Sequence, residues 1–239
     1  MLSKSQINLY QQCPRKYRYR YIDKVPQPTP DDNHPLTIGI ELHSIFEETL
    51  ILLMKKEIGN NYNDLIYAMA THKDFRNEYQ IHIENFADFI LTQLDNGYSI
   101  YGIETFVEHE LFNLLGYLDL ILEKDGKLTV IDFKTGKTRG IKEYELELVY
   151  YGFLANYLSN KSIDKVGIFF SKTNVSRIAK FNEIPDKGAY ITQQDIDYAF
   201  KYLFQVRELI SNGIFNYKKG WNCKWCEYEQ ICINEGYNE

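Results

Sequence analysis

The chain has 239 residues, 44% of them hydrophobic, enough for the core of one large domain or two small ones. Its 27 Lys and Arg against 33 Asp and Glu leave a net charge of −6, which excludes indiscriminate binding to nucleic acid and directs attention to local basic clusters. Met1 to Gln6 carries no apolar targeting segment and no later apolar run approaches the roughly 20 residues that span a bilayer, so a soluble, cytoplasmic protein without a membrane partner is expected.

In chain order, Ser3-Lys4-Ser5-Gln6 reads as a capping box that opens a short helix through Ile7, Leu9 and Tyr10, with Pro14 early in a second helical turn. The prolines from Pro26 to Pro35 make Gln27 to Pro35 an irregular loop. From Ile38 to about Lys56, Leu42, Ile45, Phe46, Leu50 and Leu53 recur at helical spacing, and Asn63 to Asn96 continues as one or two further helices. Thr105 to Leu115 alternates loosely and leads into a hairpin, which is followed by a helix from about Tyr144 to Leu158. Val166 to Lys172 and Arg177 to Asn182 form a second hairpin. Thr192 then caps a helix ended by Asn212-Gly213. Helices, strands, helix, strands and helix in that order imply a mixed α/β sheet core flanked by helices.

The central hairpin carries the chemistry. Asp125-Gly126 supports a two-residue turn with positive φ at both positions. That turn pairs Lys124 with Lys127, Glu123 with Leu128, Ile121 with Val130, and Asp119 with Asp132. Opposed side chains stand about 4.5–5.5 Å apart at Cβ, and like charges so placed destabilise a sheet. Lys134 shares their face, while Leu118, Leu120, Leu122, Thr129, Ile131 and Phe133 line the other, so both sides of the hairpin should be covered. The two acids can be balanced by a proton or by Lys134 in a structural ion network. A hard divalent cation, Mg²⁺ or Mn²⁺, balances them equally well, because such ions take one or two carboxylates plus water and phosphate oxygens.

"GYLDLI" followed by "IDFKTGK" resembles the catalytic core of the PD-(D/E)xK nuclease superfamily, with Asp119, Asp132 and Lys134 at its D…D-x-K positions. The resemblance implies a restriction-endonuclease-like fold and metal-dependent cleavage of DNA, with Lys134 assisting the attacking water. "GIELH", Gly39 to His43, resembles the G-x-x-x-H element of the RecB-like branch, which implies a cation held by His43, Asp119, Asp132 and the Phe133 carbonyl. That branch also carries Q-x-x-x-Y after the core lysine. Tyr151 matches its tyrosine, but Glu147 stands where the branch has glutamine. Glu108 or Glu110 offers a further carboxylate from the preceding strand.

Cys223, Cys226 and Cys232 fall in "NCKWCEYEQIC", and Cys13 in "QQCPRKYRYRY" completes a set of four thiolates, which suits Zn²⁺ or a [4Fe–4S] cluster. One cysteine near the N-terminus and three near the C-terminus resemble the iron-staple nucleases, the CRISPR-associated RecB-like exonucleases and AddB-type nuclease domains. The resemblance implies an iron–sulfur staple, with zinc as the alternative, and a single domain over 1–239. In that domain 1–35 and 213–239 bind the cluster, 36–104 is helical and 105–212 is the nuclease core. Arg15, Lys16, Arg18, Arg20 and Lys24, interleaved with Tyr17, Tyr19 and Tyr21, read either as a single-strand groove or as a solvated face over core tyrosines. Lys134, Lys137, Arg139 and Lys142 form a second cluster. The expected partner is DNA, single-stranded or with free ends, delivered by a CRISPR integration, helicase or phage recombination system. A non-cleaving DNA-end binding module and a zinc-stapled interaction protein are the alternatives.

Overall fold

The computed structural model describes residues 1–28, 31–158, 161–184 and 188–236, and the Asp125-Gly126 turn lies at the exposed tip of its central hairpin. Both residues take positive φ, 52° and 75°, as a two-residue hairpin turn requires. The turn joins β3 (Leu114–Lys124) to β4 (Lys127–Lys134) in the expected register, from Lys124 opposite Lys127 to Leu120 opposite Ile131. The ladder ends there, one pair before Asp119 and Asp132. Along its other edge β3 pairs antiparallel with β2 (Ser99–His109), and at its far end it takes β1 (Leu2–Ser3) as a short parallel partner. β1 therefore occupies the edge that β4 has left. Between the two, around Asp119, the sheet is split.

The helices α1 (Lys4–Gln12) and α2 (Pro14–Tyr17) follow β1, and the Ser3–Gln6 capping box forms with both reciprocal bonds. A long helix, α3 (Pro35–Met54), begins earlier than its apolar periodicity suggests. Pro35 sits at its first position, where no amide hydrogen is needed, and His34 Nδ1 accepts from the Leu36 amide. The loop expected from Gln27 to Pro35 thus ends at the helix cap, and residues 29–30 of it lie outside the described residues. α4 (Tyr62–Ala70) and α5 (Gln80–Asp95) complete one helical layer. The crossover helix α6 (Glu145–Leu158) carries the chain to β5 (Ile163–Phe170), which lies parallel to β4. β6 (Val175–Phe181) pairs antiparallel with β5 in the expected second hairpin, and β7 (Ala189–Ile191) is a short edge strand. α7 (Gln193–Ser211), capped by Thr192, and α8 (Glu229–Asn234) end the fold.

Two buried clusters flank the sheet. Leu120, Leu122, Ile131, Phe133 and Phe169 pack against Phe46 of α3 and Phe86 of α5, whose rings stack 4.0 Å apart. Ile121, Leu128, Val130, Val166 and Ile168 pack against Leu148, Val149 and Leu154 of α6 and Leu203 of α7. The hairpin is covered on both sides, as its sequence implies. Leu118 departs from the expected alternation and joins the α6 cluster rather than that of Leu120. The break coincides with Glu104, across on β2, whose φ of +39° interrupts the regular strand.

Candidate metal centre

Three chain segments meet where β3 and β4 part. His43 lies one turn before Phe46 on α3, and its ring packs edge-on to Phe133 at 5.9 Å. Its Nδ1 stands 3.6 Å from Asp119 Oδ2 and 3.8 Å from Glu104 Oε1. Its Nε2 is 3.1 Å from the Phe133 carbonyl. The Phe133 amide donates to Asp119 Oδ2 at 2.7 Å, so this side chain replaces the next rung of the missing ladder. Among the described residues, His43, Glu104 and Asp119 are the group whose ligand atoms gather within 4.8 Å of one another.

The sequence placed Asp132 in that group and suggested Glu108 or Glu110 as an extra acid. In the structure Glu108 and Glu110 are exposed, and Glu104 supplies the carboxylate from β2. Irregular strands re-aim side chains, and the positive φ of Glu104 is the local irregularity here. Asp132 lies on the neighbouring strand with its Oδ2 2.6 Å from Lys134 Nζ. This buried oxygen is ion-paired to the ammonium and accepts no other hydrogen bond, so it keeps acceptor capacity.

Electrostatics around the split are dominated by excess negative charge. Burial, and then the neighbouring charge of Asp132, push the Asp119 carboxyl up to about 7. Burial lowers the His43 pKa, but Glu104, Asp119 and Asp132 together outweigh it and raise the imidazole. Lys134 shows the same contest: desolvation opposes its charge, and Asp132 and Glu147 overcome it, so it is held as an ammonium. Lys134 Nζ also reaches Glu147 Oε1 at 2.8 Å, and Lys4, from the start of α1, binds the same oxygen. Tyr151, one turn beyond Glu147 on α6, stands beside Asp132; burial first and the surrounding acids next raise its pKa well above the ordinary value. The oxygen-rich donor set, the unfilled Asp132 oxygen and the uncompensated charge fit a hard divalent cation.

A protein-family model described as "PD-(D/E)XK nuclease superfamily" matches residues 1–233. The chain belongs to the PD-(D/E)XK nuclease superfamily. Its mixed sheet flanked by helices is the restriction-endonuclease-like fold of that superfamily. The "Gene 69 protein" of Mycobacterium phage D29 is 24% identical over 263 residues, covering 96% of this chain and 95% of the phage protein. A solved structure titled "Crystal structure of SSO0001" aligns with 80% of this chain and 84% of its own at 15% identity and a TM-score of 0.39. Nucleases of this superfamily use divalent metals such as Mg²⁺ or Mn²⁺.

Elsewhere the structure separates the remaining sequence candidates. Cys13, Cys223, Cys226 and Cys232 line one cavity of about 110 Å³. Burial raises the Cys226 and Cys232 pKa values, with the neighbouring thiols contributing. Among the described residues no three of these sulfurs lie within 4.8 Å of one another. The basic stretch beside Cys13 is engaged internally. Arg15 pairs with Glu235 at 3.5 Å, Lys16 with Glu227 at 2.7 Å and Arg18 with Asp23 at 3.0 Å, while Arg20 lies over the Tyr21 ring. Tyr17 and Tyr19 are buried, so they offer no face to a nucleobase. Lys137 and Arg139 are exposed in the loop after β4, with Arg139 3.5 Å from Glu143. No helix among the described residues is long and apolar enough to cross a membrane.

Proposed function

We propose that this protein is a metal-dependent deoxyribonuclease that degrades single-stranded DNA from its ends, in the RecB-like, iron-stapled branch of its superfamily. The observation that carries the proposal is the split between β3 and β4. It gathers His43, Glu104 and Asp119 within 4.8 Å and sets Asp132 and Lys134 beside them. His43, Glu104, Asp119, Asp132 and the Phe133 carbonyl would hold the cation. When bound, such a cation polarises a phosphodiester and lowers the pKa of its water. Lys134, clamped by Asp132 and Glu147, is a fixed positive charge that orients water and offsets charge developing on the phosphate. Tyr151, beside Asp132, would hold that carboxylate in place.

The four cysteines that line one cavity would hold a [4Fe–4S] staple, with Zn²⁺ as the alternative. The staple would join 1–35 to 213–239 within a single nuclease domain, of which 237–239 lie outside the described residues. A CRISPR integration, helicase or phage recombination partner would supply the free ends. The test is digestion of labelled single strands and duplexes, with 5′ or 3′ ends blocked, by anaerobically purified protein with Mn²⁺. Loss of the single strand with one end polarity is expected, together with broad visible absorption. No digestion of any substrate by protein with an intact cluster would overturn the enzyme reading and leave the DNA-end binding module.

A further inference from the structure

The two tryptophans of the chain lie four residues apart at the two ends of one short 3₁₀ helix, Trp221–Trp225, and are 84% and 83% exposed. A lone exposed apolar side chain is ordinary, but two of the largest rings held out in water on one turn mark a contact surface. The turn is rigid. The Cys223 amide donates to the Gly220 carbonyl and the Cys226 amide to the Cys223 carbonyl, each at 3.0 Å, and both cysteines line the cavity beneath. Lys16 and Arg15 neutralise Glu227 and Glu235 nearby, which leaves exposed Lys218, Lys219 and Lys224 in excess over Glu229. Exposed rings among unneutralised lysines suit a polyanion with flat bases.

We propose that Trp221 and Trp225 form a base-stacking platform for single-stranded DNA, outside the metal centre and mounted on the cysteine segment. The proposal rests on the deoxyribonuclease reading and adds a subsite to it. α1 sets its place. Lys4 at the start of that helix binds Glu147 beside Lys134, and Cys13 at its end lines the cysteine cavity. Nine residues span about 13 Å at 1.5 Å each, so the platform engages the strand a few nucleotides from the bond being cut. The aromatic platform suggested by Tyr17 and Tyr19 is thus supplied by a different segment.

The test uses the full-length protein in Ca²⁺, with fluorescein-labelled dT15 followed by anisotropy. W221A/W225A should bind about tenfold or more weakly, since each stacked base contributes that order of affinity. W221F/W225F should bind close to wild type, because phenyl rings still stack. The salt dependence of binding should stay unchanged in both, because the phosphate contacts remain. With no other tryptophan in the chain, emission at these two rings should be quenched as dT15 saturates the protein. Unchanged thermal midpoint and visible absorption would show that the variants are folded. Wild-type affinity in W221A/W225A, with emission unmoved by dT15, would overturn the platform while leaving DNA binding intact. Absence of dT15 binding by the wild type would instead overturn the deoxyribonuclease reading and the platform with it.

Discussion

Glu147 sits where the RecB-like pattern has a neutral glutamine, and its charge is matched by Lys4, so exchanging the acid for the amide should be harmful alone and tolerated in company. Lys4 and Lys134 bind one oxygen, Glu147 Oε1, which keeps their nitrogens within about 5.5 Å, two charge-assisted hydrogen bonds end to end. The Lys4 and Glu147 side chains are only 19% and 8% exposed, so neither charge is free to relax into bulk water. At an effective dielectric of about 20, two unit charges at that distance repel by about 3 kcal/mol. Glu147→Gln removes the negative charge that offsets this repulsion and should cost about that much. Lys4→Met/Glu147→Gln removes one of the repelling ammonium groups and leaves Lys134 with Asp132, so it should recover about 2 kcal/mol relative to Glu147→Gln. Urea unfolding of the wild type, both single variants and the double variant, without divalent cations at pH 7.5, closes the cycle. Additive costs, or a double variant less stable than Glu147→Gln, would refute the charge-matching argument.

A Cβ at Gly152 of α6 would lie 2.5 to 2.9 Å from three ring atoms of Phe181. Overpacking should outweigh the gain in helix propensity, making Gly152→Ala less stable by about 1–2 kcal/mol in urea unfolding. In a Phe181→Leu background the same change should be neutral or stabilising, and equal costs in both backgrounds would place the strain elsewhere. His82 is buried with Nδ1 2.7 Å from Ser171 Oγ; burial first, and Lys172 second, lower its pKa from 6.5 to about 4. The unfolded chain therefore takes up this proton first. The contribution of neutral His82 is complete above about pH 6.5 and is lost as pH falls toward 4, by about 1 kcal/mol at pH 5 after allowing for solvent screening. Thermal midpoints measured from pH 7 to 5 should fall more steeply for the wild type than for His82→Asn, and parallel curves would contradict this.

What the sequence made legible was local or carried by a turn. Asp125-Gly126 determined the hairpin register, because two positive φ angles leave little choice of pairing. Ser3 and Thr192 announced their helices through side chains three residues apart. The ladder, however, stops before the two aspartates, and Asp119 spends its carboxylate on the Phe133 amide. Glu104 was hidden by a backbone irregularity, since an alternation rule started at Thr105 has no place for a residue at φ +39°. Lys4 was hidden by distance, because its partner stands 143 residues away. The tyrosines after Cys13 illustrate a different failure. Interleaving with arginine resembles a binding surface, yet Tyr19 packs on Tyr228, and Arg15 and Lys16 tie down the C-terminal segment.

A cation held between the parted strands is tested most directly by calorimetric titration of Mn²⁺ into wild type, Glu104→Gln and Asp119→Asn. One site is predicted in the wild type, lost in Asp119→Asn and at least tenfold weaker in Glu104→Gln, about 1.4 kcal/mol or more. Equal affinity in all three proteins would contradict the assignment of this cluster as the metal centre.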